Sequence, residues 1–288
     1  MTGTRMAESK KLRLHPAPPK NFDPFSASKQ DMLKYGVPLR PDSHAQPGLA
    51  ALWDRLATRY RSFEHLEPKP DTTTAGKKAV NISVPLLGLD PTASCGYELF
   101  SSAPITSLFV TFTVPDLQYT SSGLGIDYFH TFVGLGFLDL HVEMTVNPTE
   151  NVTCQLWAEA VGNINLPVRP GDVISASLCL EINEAGTAAY FLANETTGQT
   201  TSVAVDTGFP PAVTINAGVT RTWPLDQPFP PLARFGVVYF DEISAFSTGG
   251  ARSLTSGDAT TMVGQNGGTL ARPVRLTDYA FKAVFEGA

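Results

Sequence analysis

The stretch LDLHVEMTV, residues 138–146, alternates apolar and polar side chains without a break. Successive side chains of a β-strand point to opposite faces, so the pattern predicts a strand with one face buried in a core. The opposite face carries Asp139, His141, Glu143 and Thr145. An acid, an imidazole and a second acid on one face are able to support acid–base chemistry. The same pattern is also typical of a sandwich strand whose polar side faces water.

Further strand-like runs flank this stretch on both sides. They are rich in Val, Ile, Thr, Phe and Tyr, and Gly, Pro, Asn or Asp occupies most of the gaps between them. The runs cover residues 105–114, 128–137, 172–182, 187–193, 201–206 and 235–246. No helical pattern and no internal repeat interrupts them, so an all-β sandwich or barrel is predicted from about residue 77 onward.

The segment before residue 77 has a different character. Residues 1–20 are polar and rich in proline, which predicts a mobile tail. Residues 21–76 are predicted to form an extended and helical N-terminal extension, in which Ser26 or Ser28 caps a short helix that ends near Gly36. The β-sandwich domain is then predicted over residues 77–288.

A second helix is predicted over residues 48–62. Charged residues lie on one side of this helix, and apolar residues recur at helical spacing on the other. The apolar residues are Leu49, Leu52, Trp53, Leu56 and Tyr60. A single amphipathic helix is not stable alone, so we expect it to dock on the back or an edge of the sandwich through Leu52, Trp53 and Leu56. Binding of a partner protein is the alternative use of the same stripe.

Composition limits the function classes. The 288 residues are 42% hydrophobic and 17% charged, which is typical of a folded globule. The net charge of −6 is spread along the chain without a basic block, so neither a nucleic acid nor a membrane is expected as a partner. The N-terminus has no apolar core and the three cysteines have no metal spacing, so a cytoplasmic protein with reduced thiols is expected. The oligomeric state stays open.

Motifs of common catalytic centres are absent from the sequence. HExxH, CxxC, GxSxG, GxxxxGK[ST] and a GxGxxG after a strand do not occur. The histidines are scattered at positions 15, 44, 65, 130 and 141, and only the last two lie in predicted strands. Neither a metal site nor a cofactor is therefore predicted.

Several segments of the chain match one recurrent pattern. They are FTVP at residues 112–115, FVGLG at 132–136, LPVRPGDVISASLCLE at 166–181, GTAAYFLANETTGQTTS at 186–202 and LARFGVVYFDEISAF at 232–246. In order and spacing they resemble the segments "x-x-VP", "WVGIDG", "I-x-V-x-x-GD-x-I-x-x-x-V", "A-x-L-x-N-x-T-T-G-Q" and "LA-x-(F/Y)-x-x-V-x-F" of the glutamic peptidases, or eqolisins. The resemblance implies a concanavalin A-like sandwich of two antiparallel sheets from about residue 81 to the end. The leader FDPFSAS…YGVPLRP resembles extensions on intracellular members of that family.

The resemblance also implies where catalytic groups would lie. Eqolisins use a Gln and a Glu to activate water and to stabilise the tetrahedral intermediate. The Glu belongs to a strand reading "AEW-I-V-E-R-P", which matches residues 217–224 and places Thr222 at the Glu position. A threonine hydroxyl has no useful basicity at acid or neutral pH, so it cannot replace a carboxylate base. The Gln position matches His141, or Glu143 after a shift of two residues.

Other positions of the implied cleft differ from the family as well. The Asp of "GID" is Gly136, and the cleft tryptophans are Ile82 and Phe132. One carboxylate remains, Glu159 in LWAEA, although the second tryptophan of the matching "W-Y-E-W" is Ala160. Because the changes are concentrated in one cleft, we interpret them as a cleft rebuilt for another task.

The predicted site combines the strand pattern with the resemblance. The polar face of residues 139–145 should line the cleft, with a histidine of near-neutral pKa beside a carboxylate whose pKa is raised by burial. The predicted catalytic residues are His141, Glu143 and Glu159. The predicted substrate-binding residues are His130, Phe132, Ile82, Trp157, Thr220 and Thr222. For His130, a hydrogen-bonded strand histidine is an equal alternative.

Three functions from different classes are compatible with these residues. The first, which we favour, is a non-proteolytic intracellular enzyme (an isomerase, cyclase or lyase) that performs acid–base chemistry on a small apolar molecule. The second is a ligand- or carbohydrate-binding protein without catalysis, suggested by fold analogy and weakened by the missing cleft tryptophans. The third is an acid glutamic endopeptidase, disfavoured by Thr222 and by the expected location.

Overall fold

The structure is a computed structural model that describes residues 12–69, 89–120, 125–158, 161–180, 187–206, 211–221, 231–247 and 249–287. Its α-helices are α1, Lys29–Lys34, and α2, Pro47–Tyr60. The first strands are β1 Leu12–Leu14, β2 Glu64–His65, β3 Ser94–Thr113, β4 Asp127–Leu135, β5 Leu138–Val146, β6 Val152–Ala158, β7 Gly162–Ile164 and β8 Val173–Leu180. The remaining strands are β9 Thr187–Asn194, β10 Gln199–Asp206, β11 Ala212–Thr220, β12 Val237–Ser247, β13 Gly250–Arg252, β14 Asp258–Thr260, β15 Met262–Val263, β16 Thr269–Thr277 and β17 Ala280–Phe285.

These strands form two packed antiparallel sheets, as the sequence predicts. The front sheet has the order β14, β3, β11, β4, β5, β6, β7. The back sheet has the order β1, β10, β9, β8, β3, β12, β17, β16, β15. The exception to antiparallel pairing between these strands is β2, which lies parallel to β10. The chain is therefore a two-sheet β-sandwich with a short helical extension.

Strand β3 belongs to both sheets. It is 20 residues long, and its first part, residues 94–100, pairs with β11 in the front sheet. Its second part, residues 105–113, pairs with β8 and β12 in the back sheet. The register with β11 shifts between Ala212 and Thr214, where β3 leaves the front sheet. One strand thus links the two layers covalently.

The core lies between the sheets and explains the alternation in β5. The apolar residues of β5 are fully buried in this core, and the polar residues of β5 lie partly buried on the other face of the front sheet. The buried set is Leu138, Leu140, Val142, Met144 and Val146. From the back sheet, Leu108, Val110 and Phe112 of β3 contribute to the same core. Each such side chain contributes about 1.5–3 kcal/mol when it leaves water, which fixes the register of the strand.

The turn between β9 and β10 shows why the segment NETTGQ has its sequence. Asn194 is fully buried, and its Nδ2 donates to Pro167 O at 2.9 Å and to Asp172 Oδ2 at 2.7 Å. Its Oδ1 accepts from the backbone N–H groups of Thr196 and Thr197, both at 3.1 Å. One side chain therefore holds its own turn and the turn before β8 together, which a shorter or apolar side chain cannot do.

The N-terminal extension packs on the outer face of the back sheet. Ser28 caps α1 by accepting the Asp31 N–H at 3.1 Å, as predicted. Helix α2 docks through its apolar side, as predicted: Leu52 contacts Phe109 and Phe246, with Leu49 and Leu56 beside them. The described extension therefore covers the back of the sandwich.

Polar contacts reinforce the docking of α2. Trp53 is buried, and its Nε1 donates to Pro38 O at 2.7 Å. Arg59 forms ion pairs with Glu195, in the turn after β9, at 3.4 Å and with Glu242 of β12 at 3.5 Å. These pairs are partly exposed, so their contribution is small beside that of the apolar contacts.

One part of the predicted tail differs from the expectation. Leu12–Leu14 form β1, which pairs with Val203–Val205 of β10, so the mobile tail does not extend to residue 20. A strand of three residues is too short to show an alternating pattern, and β1 is held in place by backbone pairing with a strand that is distant in the sequence. The predicted boundary near residue 77 lies outside the described residues. All three cysteines are free, and no described helix is long and apolar enough to span a bilayer.

Candidate functional site

The outer face of the front sheet, here called the front face, carries side chains in transverse rows. Directly opposite residues in neighbouring antiparallel strands have Cβ atoms about 4.5–5.5 Å apart, so the register defines each row. The central row runs Gly96, Gly218, Phe132, His141, Trp157 and Asn163. A second row runs Ser94, Thr220, His130, Glu143 and Gln155. A third row runs Glu98, Asn216, Gly134 and Asp139.

His141 lies among aromatic rings in the central row. Its ring centroid is 6.2 Å from that of Phe132, 5.5 Å from that of Trp157 and 6.1 Å from that of His130. The side chain as a whole is partly exposed, but Nδ1 is buried and has no hydrogen-bond partner in the structure. Burial lowers the pKa of His141 to about 4. The expected near-neutral pKa is therefore wrong, because the neighbouring rings remove the water that would stabilise an imidazolium.

Glu143 and His130 face each other in the second row. Glu143 is two residues from His141 on the same strand and partly buried, and His130 of β4 is its direct cross-strand neighbour. Residues two apart on a strand are separated by about 6.6 Å along it. The structure thus brings together His130, Phe132, His141, Glu143 and Trp157, which the sequence analysis had selected from three strands.

Thr220 occupies the same row but is bound into the sheet. It is buried, its Oγ1 accepts from Ser94 Oγ at 3.2 Å, and it donates to Ala93 O at 3.0 Å. The next residue, Arg221, donates from Nε and Nη2 to Thr92 O at 3.1 and 2.9 Å, and burial lowers its pKa. These bonds anchor the end of β11. Three selected residues, Ile82, Glu159 and Thr222, lie outside the described residues.

The third row contains polar residues that the sequence analysis missed as site candidates. Glu98 and Asn216 are both buried, and the Leu89 N–H donates to Glu98 Oε2 at 3.1 Å. A Cβ atom on Gly134 would lie 2.3 Å from Asn216 Oδ1 and 2.7 Å from Asp139 Oδ1. Glycine at this position therefore leaves room for two oxygen atoms side by side. Asp139 could have been predicted, because it lies two residues from His141 and therefore on the same face of β5. Glu98 and Asn216 are placed in this row only by the pairing register of β3, β11 and β4.

Two glycines make the central row flat at one end. A Cβ on Gly96 would lie 2.1 Å from Ala217 O, and a Cβ on Gly218 would lie 2.2 Å from Cys95 O. Any larger residue would push β3 and β11 apart. Both glycines are buried, so β3 and β11 lie in close backbone contact at this end of the central row. Among the described residues, no group of three His, Cys, Asp or Glu side chains is placed to hold a metal ion.

The antiparallel sandwich, with polar rows across one sheet and an apolar core beneath, defines an eqolisin-type fold. The family model of the Peptidase A4 family matches residues 92–279, and the chain belongs to that family. The match begins at residue 92, later than the start near residue 81 that the resemblance implied. Ile82 and the N-terminal extension therefore lie before the matched range.

Solved structures support the fold. Scytalido-glutamic peptidase, crystallised with a peptide-based transition state analog, is 17% identical with a TM-score of 0.55, over 68% of this chain and 98% of that chain. SCP-B, a member of the eqolisin family in complex with the tripeptide Ala-Ile-His, is 18% identical with a TM-score of 0.54, over the same shares. A search of curated protein sequences found no match. At this identity the likeness concerns the fold alone.

Proposed function

We propose that this Peptidase A4 family member is a non-proteolytic enzyme that performs acid–base chemistry on a small, largely apolar molecule bound at the front face. The isomerase, cyclase and lyase classes need only proton transfers of this kind. The observation that carries the proposal is the position of His141 among aromatic rings, two residues from Glu143 on one strand. The match of Thr222 to the family's Glu position argues against peptide hydrolysis.

The pKa of His141 decides its role. With a pKa of about 4, the imidazole is neutral at neutral pH and is a poor proton acceptor. We assign the tautomer with hydrogen on Nε2, because a buried acceptor without a partner costs less than a buried N–H donor without one. His141 would then donate a hydrogen bond to a substrate oxygen, and Glu143 would accept the proton from the adjacent carbon.

Substrate binding would use the apolar part of the same face. Phe132 and Trp157 flank His141 in the central row, so the apolar part of a substrate would lie against these rings. Such a site buries apolar area and leaves orientation to a few polar groups.

A screen of small-molecule extracts tests the proposal. The chain is incubated with the extract, and mass spectrometry with chromatography detects conversions that conserve mass or release water. We expect conversion by the wild type, and loss of conversion in Glu143→Gln and His141→Leu. Thr145→Val is the matched control, since Thr145 shares the strand face but bonds Thr153 Oγ1 at 2.7 Å. Cleavage of denatured protein that depends on Glu143 would overturn the non-proteolytic assignment.

Ligand binding without catalysis is the second candidate. The row Phe132, His141 and Trp157 offers adjacent rings on which a sugar or another flat ligand could stack. Titration calorimetry with oligosaccharides separates the two candidates. Binding that is lost in Trp157→Ala but unchanged in Glu143→Gln, with no product formed, would favour this second function.

A further inference from the structure

A cavity of about 70 Å³ lies between the N-terminal extension and the outer face of the back sheet. Its roof is formed by Leu52, Trp53 and Leu56 of α2, and further side chains of the extension, such as Val37, complete it. Its floor is formed by β3, β8 and β9. No front-face residue lines it, so this cavity is separate from the site described above.

The cavity exists because small side chains lie beneath large ones. The floor carries Ser107 opposite Cys179, and Ser177 between Phe109 and Phe191. Leu52 and Trp53 of α2 lie above these small side chains. Protein interiors are normally filled to crystal-like density, so a space of this size beneath a well-docked helix needs a reason.

The floor holds hydrogen-bonding groups in an otherwise apolar chamber. Ser107 is 6% exposed, and its Oγ is buried with no hydrogen-bond partner in the structure. Ser177 Oγ has only a weak contact with Cys179 Sγ, at 3.4 Å. A buried hydroxyl without a partner is destabilising unless another molecule supplies the missing bond.

The chemistry of the lining narrows the class of ligand. None of the lining residues is charged, so an ionic ligand would lose its hydration without compensation. Burial raises the pKa of Cys179 to about 11, so the thiol stays protonated and neutral. The lining therefore fits an uncharged molecule with an apolar body and one polar group.

We propose that this cavity binds an uncharged, mainly apolar small molecule whose single hydroxyl or carbonyl group hydrogen-bonds to Ser107. The site does not depend on the function proposed for the front face, because the back sheet and the core lie between them. The family match begins at residue 92, so the roof supplied by α2 is additional to the family's sandwich. An apolar pocket with a few convergent polar groups is the usual form of a small-molecule site.

The test uses the full chain and three probes of equal length: 1-hexanol, 2-hexanone and hexylamine, which is cationic at neutral pH. Titration calorimetry should show binding of the alcohol and the ketone but not of the amine. Ser107→Ala removes the hydroxyl and adds no atoms to the cavity, so we expect about fivefold weaker binding. Ser177→Leu fills the floor and should abolish binding. Thermal melting confirms that each variant is folded.

Controls separate this site from the front face. His141→Leu should bind 1-hexanol with unchanged affinity, and loss of binding in that variant would overturn the assignment to the cavity. Equal affinity of wild type and Ser107→Ala, binding of hexylamine as tight as that of hexanol, or no binding of either neutral probe would also overturn the proposal. If Ser177→Leu does not fold, the comparison of wild type with Ser107→Ala remains decisive.

Discussion

Replacing Trp53 by alanine removes the side chain that joins α2 to the rest of the extension. Trp53 is 7% exposed, packs with Phe22, Val37 and Tyr60, and meets the ring of Phe25 edge-on at 5.4 Å. A buried tryptophan removes about 150–250 Å² from water, which corresponds to roughly 4–6 kcal/mol at about 25 cal/mol per Å². That figure is an upper bound, since the unfolded chain is already partly compact, and measured Trp→Ala costs in cores are about 3–5 kcal/mol.

The assay follows α2 itself as well as the whole chain. Native-state hydrogen exchange of the α2 amides should lose about 3–5 kcal/mol of protection in Trp53→Ala, whether α2 opens alone or with the sandwich. Trp53→Phe is the matched control, because it keeps an apolar ring while it removes the hydrogen bond to Pro38 O, worth about 1 kcal/mol, and part of the buried ring area. Protection that changes by less than about 0.5 kcal/mol in Trp53→Ala would refute the docking of α2.

Three further predictions concern the sandwich. Gly218→Ala should lower the melting temperature strongly, since its Cβ would meet Cys95 O at 2.2 Å, whereas Gly48→Ala, with nothing within 4 Å, should raise stability by about 0.5–1 kcal/mol. Asn194→Ala should cost about 2–4 kcal/mol in urea unfolding, because it leaves buried partners such as Asp172 unsatisfied; a smaller loss would show that water replaces the amide. Burial lowers the pKa of His65 and His141 to about 4, so between pH 6.5 and 4 the unfolded state binds more protons and stability falls as pH falls. Substituting leucine for either histidine should remove on the order of 2 kcal/mol of that fall, and an unchanged pH profile would show that burial does not perturb the histidine.

Local pattern was enough to predict most elements of the sandwich. The alternation in residues 138–146 specifies β5, because burial of one face is a property of the strand itself. The helical spacing around Trp53 likewise predicts α2 and its docking face. The sequence did not predict that β3 belongs to both sheets. Residues 94–100 include a buried glycine and the buried Glu98, so apolar and polar side chains do not alternate there.

The sequence predicted those residues of the candidate site that lie together on one strand or that match a segment of the eqolisins. His141 and Glu143 share β5, so their common face followed from parity. The row of Glu98, Asn216 and Asp139 depends on the register among distant strands, which local patterns do not encode. The low pKa of His141 has the same origin, because Phe132 and Trp157 reach it from β4 and β6.

The position of β3 in both sheets constrains the order of events during protein synthesis. Its described partners all follow it in the chain, and the first of them, β8, begins only at Val173. While the ribosome makes the intervening segment, the central strand of the future sandwich has two unpaired edges, a state that favours aggregation. Neither sheet is complete before β11 and β12 emerge, and pairings of such high sequence separation form slowly. Correct folding of this sandwich therefore depends on keeping β3 from other chains until residue 247 has left the ribosome.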